Sequence, residues 1–121
     1  RINGESTVKV EVKISIGDYL DRLSILEIKK YKGLDVSKEI ANYHHRLINL
    51  DVGYQFYLNI IKTINLQLWD LEDIKRKKLD RYSKKESDIA MLITQLNDLR
   101  HETKKRIDIY FGSDFTEMKS H

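Results

Sequence analysis

The chain has 121 residues, no proline, no cysteine and 34% charged residues, a composition that fits one soluble, helix-rich domain. Without cysteine there is no disulfide framework, thiolate metal site or cysteine nucleophile, and no apolar run approaches the roughly 20 residues of a membrane span. A net charge of +3 and a pI near 9.0 lean weakly towards an anionic partner. No signal-like apolar stretch opens the sequence, so a cytoplasmic location is expected, and the start at Arg1 leads us to expect further residues upstream.

Residues 7–15 alternate, with Val8, Val10, Val12 and Ile14 in one set and Lys9, Glu11 and Lys13 in the other, which predicts a half-buried strand. No other segment alternates as well. A lone strand leaves backbone groups unpaired, so it is expected to pair with its copy in a second chain, giving a homodimer through this strand and the long helices. Ser15, with Asp18 three residues on, then resembles a capping box, and apolar residues from Tyr19 to Tyr31 predict a helix over 16–32 closed by Gly33. Its apolar positions occupy more than one face, so neighbours are expected on several sides. A shorter helix is predicted over 37–50, with Ile40, Tyr43, Leu47 and Leu50 at helical spacing. Tyr57, Ile61, Ile64, Leu68 and Leu71 predict a long helix over 54–81. Ser83 and Glu86 form a capping box that opens a last helix over 84–111, along Ile89, Leu92, Ile93, Leu96, Leu99, Thr103, Ile107 and Tyr110. Residues 112–121 read as a polar tail that docks through Phe115 and Met118. The fold class is therefore mainly α: an N-terminal strand followed by a four-helix bundle-like arrangement with a long antiparallel hairpin, one domain over 1–121.

Neither a G-x-S-x-G elbow nor a P-loop is present. His44 and His45 point about 100° apart on a helix and have no matching second pair, so they read as ordinary histidines and no metal site is assigned. The all-α nucleotide pyrophosphohydrolases hold magnesium with two acidic pairs on facing helices; Glu72 and Asp73 are one candidate pair, the second would have to come from Asp98 and Glu102, and no E-x-x-E or E-x-x-D motif is present. They carry an enzyme alternative: chemistry on a phosphorylated or dicarboxylate metabolite, with Glu72 or Asp73 as general acid/base or magnesium ligand. Outside that alternative no cofactor is expected. Lys75, Arg76, Lys77, Lys78, Arg81, Lys84 and Lys85 face a single acid, Asp80, so residues 75–85 carry +6 and the other 110 residues −3. Such a tip suits nucleic acid or another polyanion. With only Tyr82 among the bases, a solvated hairpin tip is the favoured reading.

Polar residues also stand among the apolar helical positions: Asp21, Arg22 and Lys29 on the first long helix, then Asn65, Trp69, Glu72, Asp73 and Arg76, then Asn97, Arg100 and Lys104. Residues 65, 69, 72 and 76 form one stripe at 4–3–4 spacing. A stripe of Asn, Trp, Glu and Arg is a poor choice for plain solvent. It predicts either a buried network that fixes register or the lining of a pocket. Arginines and lysines converging from several helices would suit a carboxylate or phosphate ligand.

These residues resemble a family of small uncharacterised proteins of bacteria and their phages, a domain of unknown function. Three blocks carry the likeness: 15–29 (Ser-Ile-Gly-Asp-Tyr-Leu-Asp-Arg-Leu-Ser-Ile-Leu-Glu-Ile-Lys), 65–76 (Asn-Leu-Gln-Leu-Trp-Asp-Leu-Glu-Asp-Ile-Lys-Arg), and 97–107 with Gly112, Ser113 and residues 117–121. The family pattern favours Glu at 18, Lys at 22 and Tyr at 121. The resemblance implies that the polar stripes recur and that the C-terminal residues fold back onto the bundle; it implies no activity. The rhythm of Asp, Arg and Leu in the first helix is also loosely similar to the helical chorismate mutases, whose pocket holds a dicarboxylate among Arg and Lys. The leading expectation is a non-catalytic binding or interaction module that takes a small anion at Arg22, Lys29, Trp69, Glu72, Asp73, Arg76, Asn97, Arg100 and Lys104. Polyanion binding through Lys77, Lys78, Arg81, Lys84 and Lys85 is a third reading, and no membrane association is expected.

Overall fold

A computed structural model describes residues 9–48, 50, 53–77, 83–112 and 114–120. In chain order these form β1 (Lys9–Ser15), α1 (Ile16–Tyr31), α2 (Ser37–Arg46), α3 (Tyr54–Arg76), α4 (Lys84–Phe111) and β2 (Asp114–Ser120). Helices α1, α3 and α4 pack against one another as a bundle, while α2 lies on α1. Among the described residues no helix is long and apolar enough to cross a membrane.

The partner of β1 is β2 of the same chain. The two run antiparallel from Lys9 opposite Ser120 to Ser15 opposite Asp114. This corrects the reading of 112–121 as a polar tail docked on the bundle, and β1 needs no second chain to supply its neighbour. The strand was hard to see because its two apolar residues, Phe115 and Met118, stand three apart and break the period of two.

The start of α1 is specified twice. Ser15 Oγ accepts the Asp18 N–H at 3.0 Å, and the Asp108 carboxylate from α4 accepts the Gly17 N–H at 2.6 Å, so two donors of the first turn are satisfied. Gly17 also lets the helices touch: a Cβ there would lie 2.5 Å from the Lys104 carbonyl oxygen. At the far end Gly33 takes φ of 102°, with its N–H on Lys30 and the Leu34 N–H on Lys29, at 3.0 and 2.9 Å. That is a Schellman cap, which a glycine adopts without Cβ strain.

Two other helices end earlier than their periodicity suggests. In α2 the chain tightens at Leu47, whose N–H reaches His44 O, and this turn places Leu47 fully in the core. The predicted extension to 50 is thus corrected to Arg46. In α3 the helix stops at Arg76 and Lys77 turns extended, where 54–81 was expected. The Lys77 N–H reaches the Ile74 carbonyl at 3.2 Å, a tightened bond that closes the last turn. Residues 78–82 lie outside the described set, with Lys78 and Arg81 among them.

The main core gathers Ile16, Tyr19, Leu20, Leu23, Leu47, Leu58, Ile61 and Ile107. Every helix contributes to it or packs on it, and Tyr43 of α2 stacks on Tyr19 with ring centroids 4.6 Å apart. A second, smaller cluster of Ile64, Leu68, Ile89 and Ile93 holds α3 to α4 towards the hairpin tip. Not every periodic residue of α4 is inside: Leu92, Leu99 and Tyr110 are 46%, 49% and 52% exposed.

Candidate functional site

The polar residues of the three bundle helices divide into a closed floor and an open wall. The floor is centred on Asp21 of α1, which is buried between α3 and α4. Arg100 of α4 grips it with two donors, Nε to Oδ1 at 2.9 Å and Nη2 to Oδ2 at 2.6 Å. Asn65 of α3 donates through Nδ2 to Asp21 Oδ1 and to Ser24 Oγ, both at 2.7 Å, and the Ser24 hydroxyl donates to the Asp21 carbonyl at 2.6 Å. Lys104 lies 2.6 Å from Asp18 and 3.9 Å from Asp21 Oδ2.

This geometry accounts for the ionisation of the pair. Burial raises the pKa of the Asp21 carboxyl, but the hydrogen bonds from Arg100 and Asn65 and the positive charges of Arg100 and Lys104 outweigh it, so it lies below its ordinary range. The hydrogen bond to Asp21 in turn raises Arg100, against the opposing effect of burial. A buried carboxylate with a bidentate arginine and an amide is a satisfied network that joins three helices in one register.

Above this floor lies a cleft of about 230 Å³, lined by Ile25, Asn65, Leu68, Trp69, Glu72, Arg76, Asn97 and Arg100. The 4–3–4 stripe of α3 thus runs along one wall, and Asn97 and Arg100 bring in α4. Trp69, Glu72 and Asn97 are half-buried. Among the described residues none of these three makes a hydrogen bond or ion pair. Arg76, at the mouth, pairs with Asp73.

Not all the expected ligand-binding residues meet here. Arg22 and Lys29 line a separate depression of about 300 Å³ with Leu26, Glu39 and Tyr43, and Ile25 is the residue the two depressions share. Lys104 turns to Asp18 instead. The basic residues therefore do not converge on one cavity, and Arg76, Arg100 and Lys104 already face carboxylates. The acidic set is dispersed as well: Asp73 pairs with Arg76, and Glu102 pairs with Arg106 at 3.3 Å. Among the described residues no three His, Asp or Glu side chains are grouped to hold a metal ion. At the hairpin tip Lys75, Lys77, Lys84 and Lys85 are exposed, with Lys84 on Asp88 at 2.8 Å.

Two features escaped the sequence reading. One is an apolar groove of about 450 Å³ between α3 and α4, lined by Gln67, Asp70, Leu71, Leu92, Gln95, Leu96 and Leu99. Its leucines have core-like spacing, and only the absence, among the described residues, of a further helix over them marks them as surface. The other is a cluster at α2, where Glu27 joins His44 at 3.0 Å and Lys62 at 3.1 Å, with the Tyr54 hydroxyl 3.3 Å from His44 Nδ1. No family model, curated protein or solved structure matches the chain.

Proposed function

We propose that this chain is a non-catalytic binding module that receives a small charged group in the cleft between α1, α3 and α4. One observation carries the reading: the side chains of Trp69, Glu72 and Asn97 are half-buried and unpartnered among the described residues, directly over a floor in which Asp21, Asn65 and Arg100 are hydrogen-bonded to one another. Polar groups that only hold a fold together find one another, as those of the floor do. Groups left facing a concave space are matched by what enters it. The enzyme alternative has less support, because Asp73 is neutralised by Arg76 and leaves Glu72 without a second free carboxylate beside it.

Trp69 is the only tryptophan of the chain, so its emission reports on this cleft alone. Titration with a panel of inorganic phosphate, succinate, agmatine and acetyl-Gly-Arg-Gly-amide should give a saturable change with at least one member. A flat response to all four overturns the reading.

The basic tip supports a second reading, polyanion binding, because Lys75, Lys77 and Lys85 are exposed at one end of the hairpin without a carboxylate partner among the described residues. Affinity for random DNA should fall with salt and be lost when Lys77, Lys78, Lys84 and Lys85 are neutralised together. Binding that survives this change excludes the tip. Self-association is also part of the proposal, supported by Leu92 and Leu99 open on α4. Light scattering at micromolar concentration should give twice the 14.4 kDa chain mass, and a 14.4 kDa species overturns it.

A further inference from the structure

We infer that the cleft selects a cation: an ammonium or guanidinium group of side-chain size, held by Glu72 and Asn97 beside Trp69. This rests on the binding-module reading and adds the sign and the size of the occupant.

The sign follows from which charges at the cleft are already matched. Two guanidiniums line it, and each faces a carboxylate: Arg100 grips Asp21 through two hydrogen bonds, and Arg76 pairs with Asp73. Lys104, behind them, is matched by Asp18. Glu72 is the one charged group of the lining without a counter-ion among the described residues. The cleft therefore presents a net negative charge, although arginine is its most conspicuous charged residue. An anion entering here meets guanidiniums whose charge is already neutralised and a carboxylate that repels it. A cation meets an unpaired carboxylate in a half-buried place, where screening by water is reduced.

The size follows from the volume. About 230 Å³ is below the usual span of roughly 300–1,000 Å³ for drug-sized ligands, and it suits one planar guanidinium or an ammonium with a few methylenes. The remaining chemistry of the wall agrees. Tryptophan is the aromatic side chain that best attracts a cation, and Trp69 precedes Glu72 by three residues on α3, so both lie on one face of the helix. The Asn97 carboxamide offers an oxygen acceptor from the opposite wall. Ile25 and Leu68 give the methylenes of such a chain an apolar surface.

The test uses the full chain and Trp69 emission. Agmatine supplies a free guanidinium, and acetyl-Gly-Arg-Gly-amide supplies the same group on a peptide; succinate and inorganic phosphate are the anionic arms. Saturable quenching by agmatine or by the peptide supports the inference, and the tighter of the two identifies a free amine or a presented side chain as the source. In Glu72→Gln that affinity should fall by about ten- to hundredfold, the usual effect of losing a charged hydrogen-bond partner. A thermal melt of the variant, unchanged from the parent, assigns the loss to the site and not to the fold. Arg76→Ala should bind agmatine more tightly than the parent, because it removes a cation from the mouth and frees the Asp73 carboxylate; weaker binding of agmatine counts against the inference. Saturation by succinate or phosphate with no response to the cations overturns the inference and leaves the binding module standing. Silence of every probe overturns both.

Discussion

The floor and the wall of the cleft both take side chains from α3 and α4, yet only those of the floor are paired with one another. In the floor Asp21, Ser24, Asn65 and Arg100 satisfy one another within 2.6–2.9 Å and tie α1, α3 and α4 together. One and two helical turns further along α3, the side chains of Trp69 and Glu72 find no partner among the described residues. The stripe that looks uniform in sequence is thus half paired and, among the described residues, half open. Asn65 is paired because Asp21 and Ser24 of α1 lie within hydrogen-bond reach of it.

The largest effect that distinguishes them is in the floor. Asp21→Asn keeps the shape but strips the counter-ion from Arg100, whose side chain retains 26% exposure. A cost of about 3 kcal/mol is expected, the low end for breaking a buried pair, because Arg100 keeps some access to water. Urea unfolding at pH 7 measures it, and a loss below about 1 kcal/mol would mean that the network does not hold the bundle. The same variant has a pH signature. Asp21 has a folded pKa below its unfolded value of about 3.9, so its stabilisation is present above that pH and is lost as pH falls through the lower folded value. The stability gap between parent and Asp21→Asn should therefore narrow on acidification from pH 5 to pH 2, and a gap of constant size would assign it to packing alone.

A smaller effect comes from the joint where α1 meets α4. Gly17→Ala places a methyl group against the Lys104 carbonyl and strains the 2.6 Å bond from Gly17 N–H to Asp108. Overpacking of this kind costs about 1–3 kcal/mol, partly offset by the roughly 1 kcal/mol that alanine gains over glycine within a helix. A net loss of about 1 kcal/mol in thermal or urea unfolding is expected. Net stabilisation would show that the two helices have room to separate.

The sequence made the helices legible because their signals are local. Ser15 and Ser83 accept the N–H groups that their capping spacing predicts, and the 3–4 spacing of Ile61, Ile64 and Leu68 marks a packed face that is indeed buried. The non-local facts were not legible. Residues 114–120 become a strand only because β1 lies beside them, and their own pattern is too irregular to announce it. The candidate site was visible as a stripe, but not its division. Nothing in the order Asn65, Trp69, Glu72, Arg76 tells that Asp21 captures Asn65 and Arg100 while Asp73 captures Arg76. Reading Arg76, Arg100 and Lys104 as free bases therefore misses the carboxylate that each of them faces.

The smallest stability effect is expected at the wall, and its smallness is informative. Glu72→Gln removes no hydrogen bond or ion pair among the described residues, and glutamine matches glutamate in size and nearly in helix propensity. Unfolding free energy should stay within about 0.5 kcal/mol of the parent at low salt, the range of a surface change that breaks nothing. A clear gain would show that the lone carboxylate strains the folded protein, as an unmatched charge in a functional site does. A loss above 1 kcal/mol would instead place Glu72 in a structural pair, most directly with Arg76 at the i,i+4 position, and would move the wall into the same class as the floor.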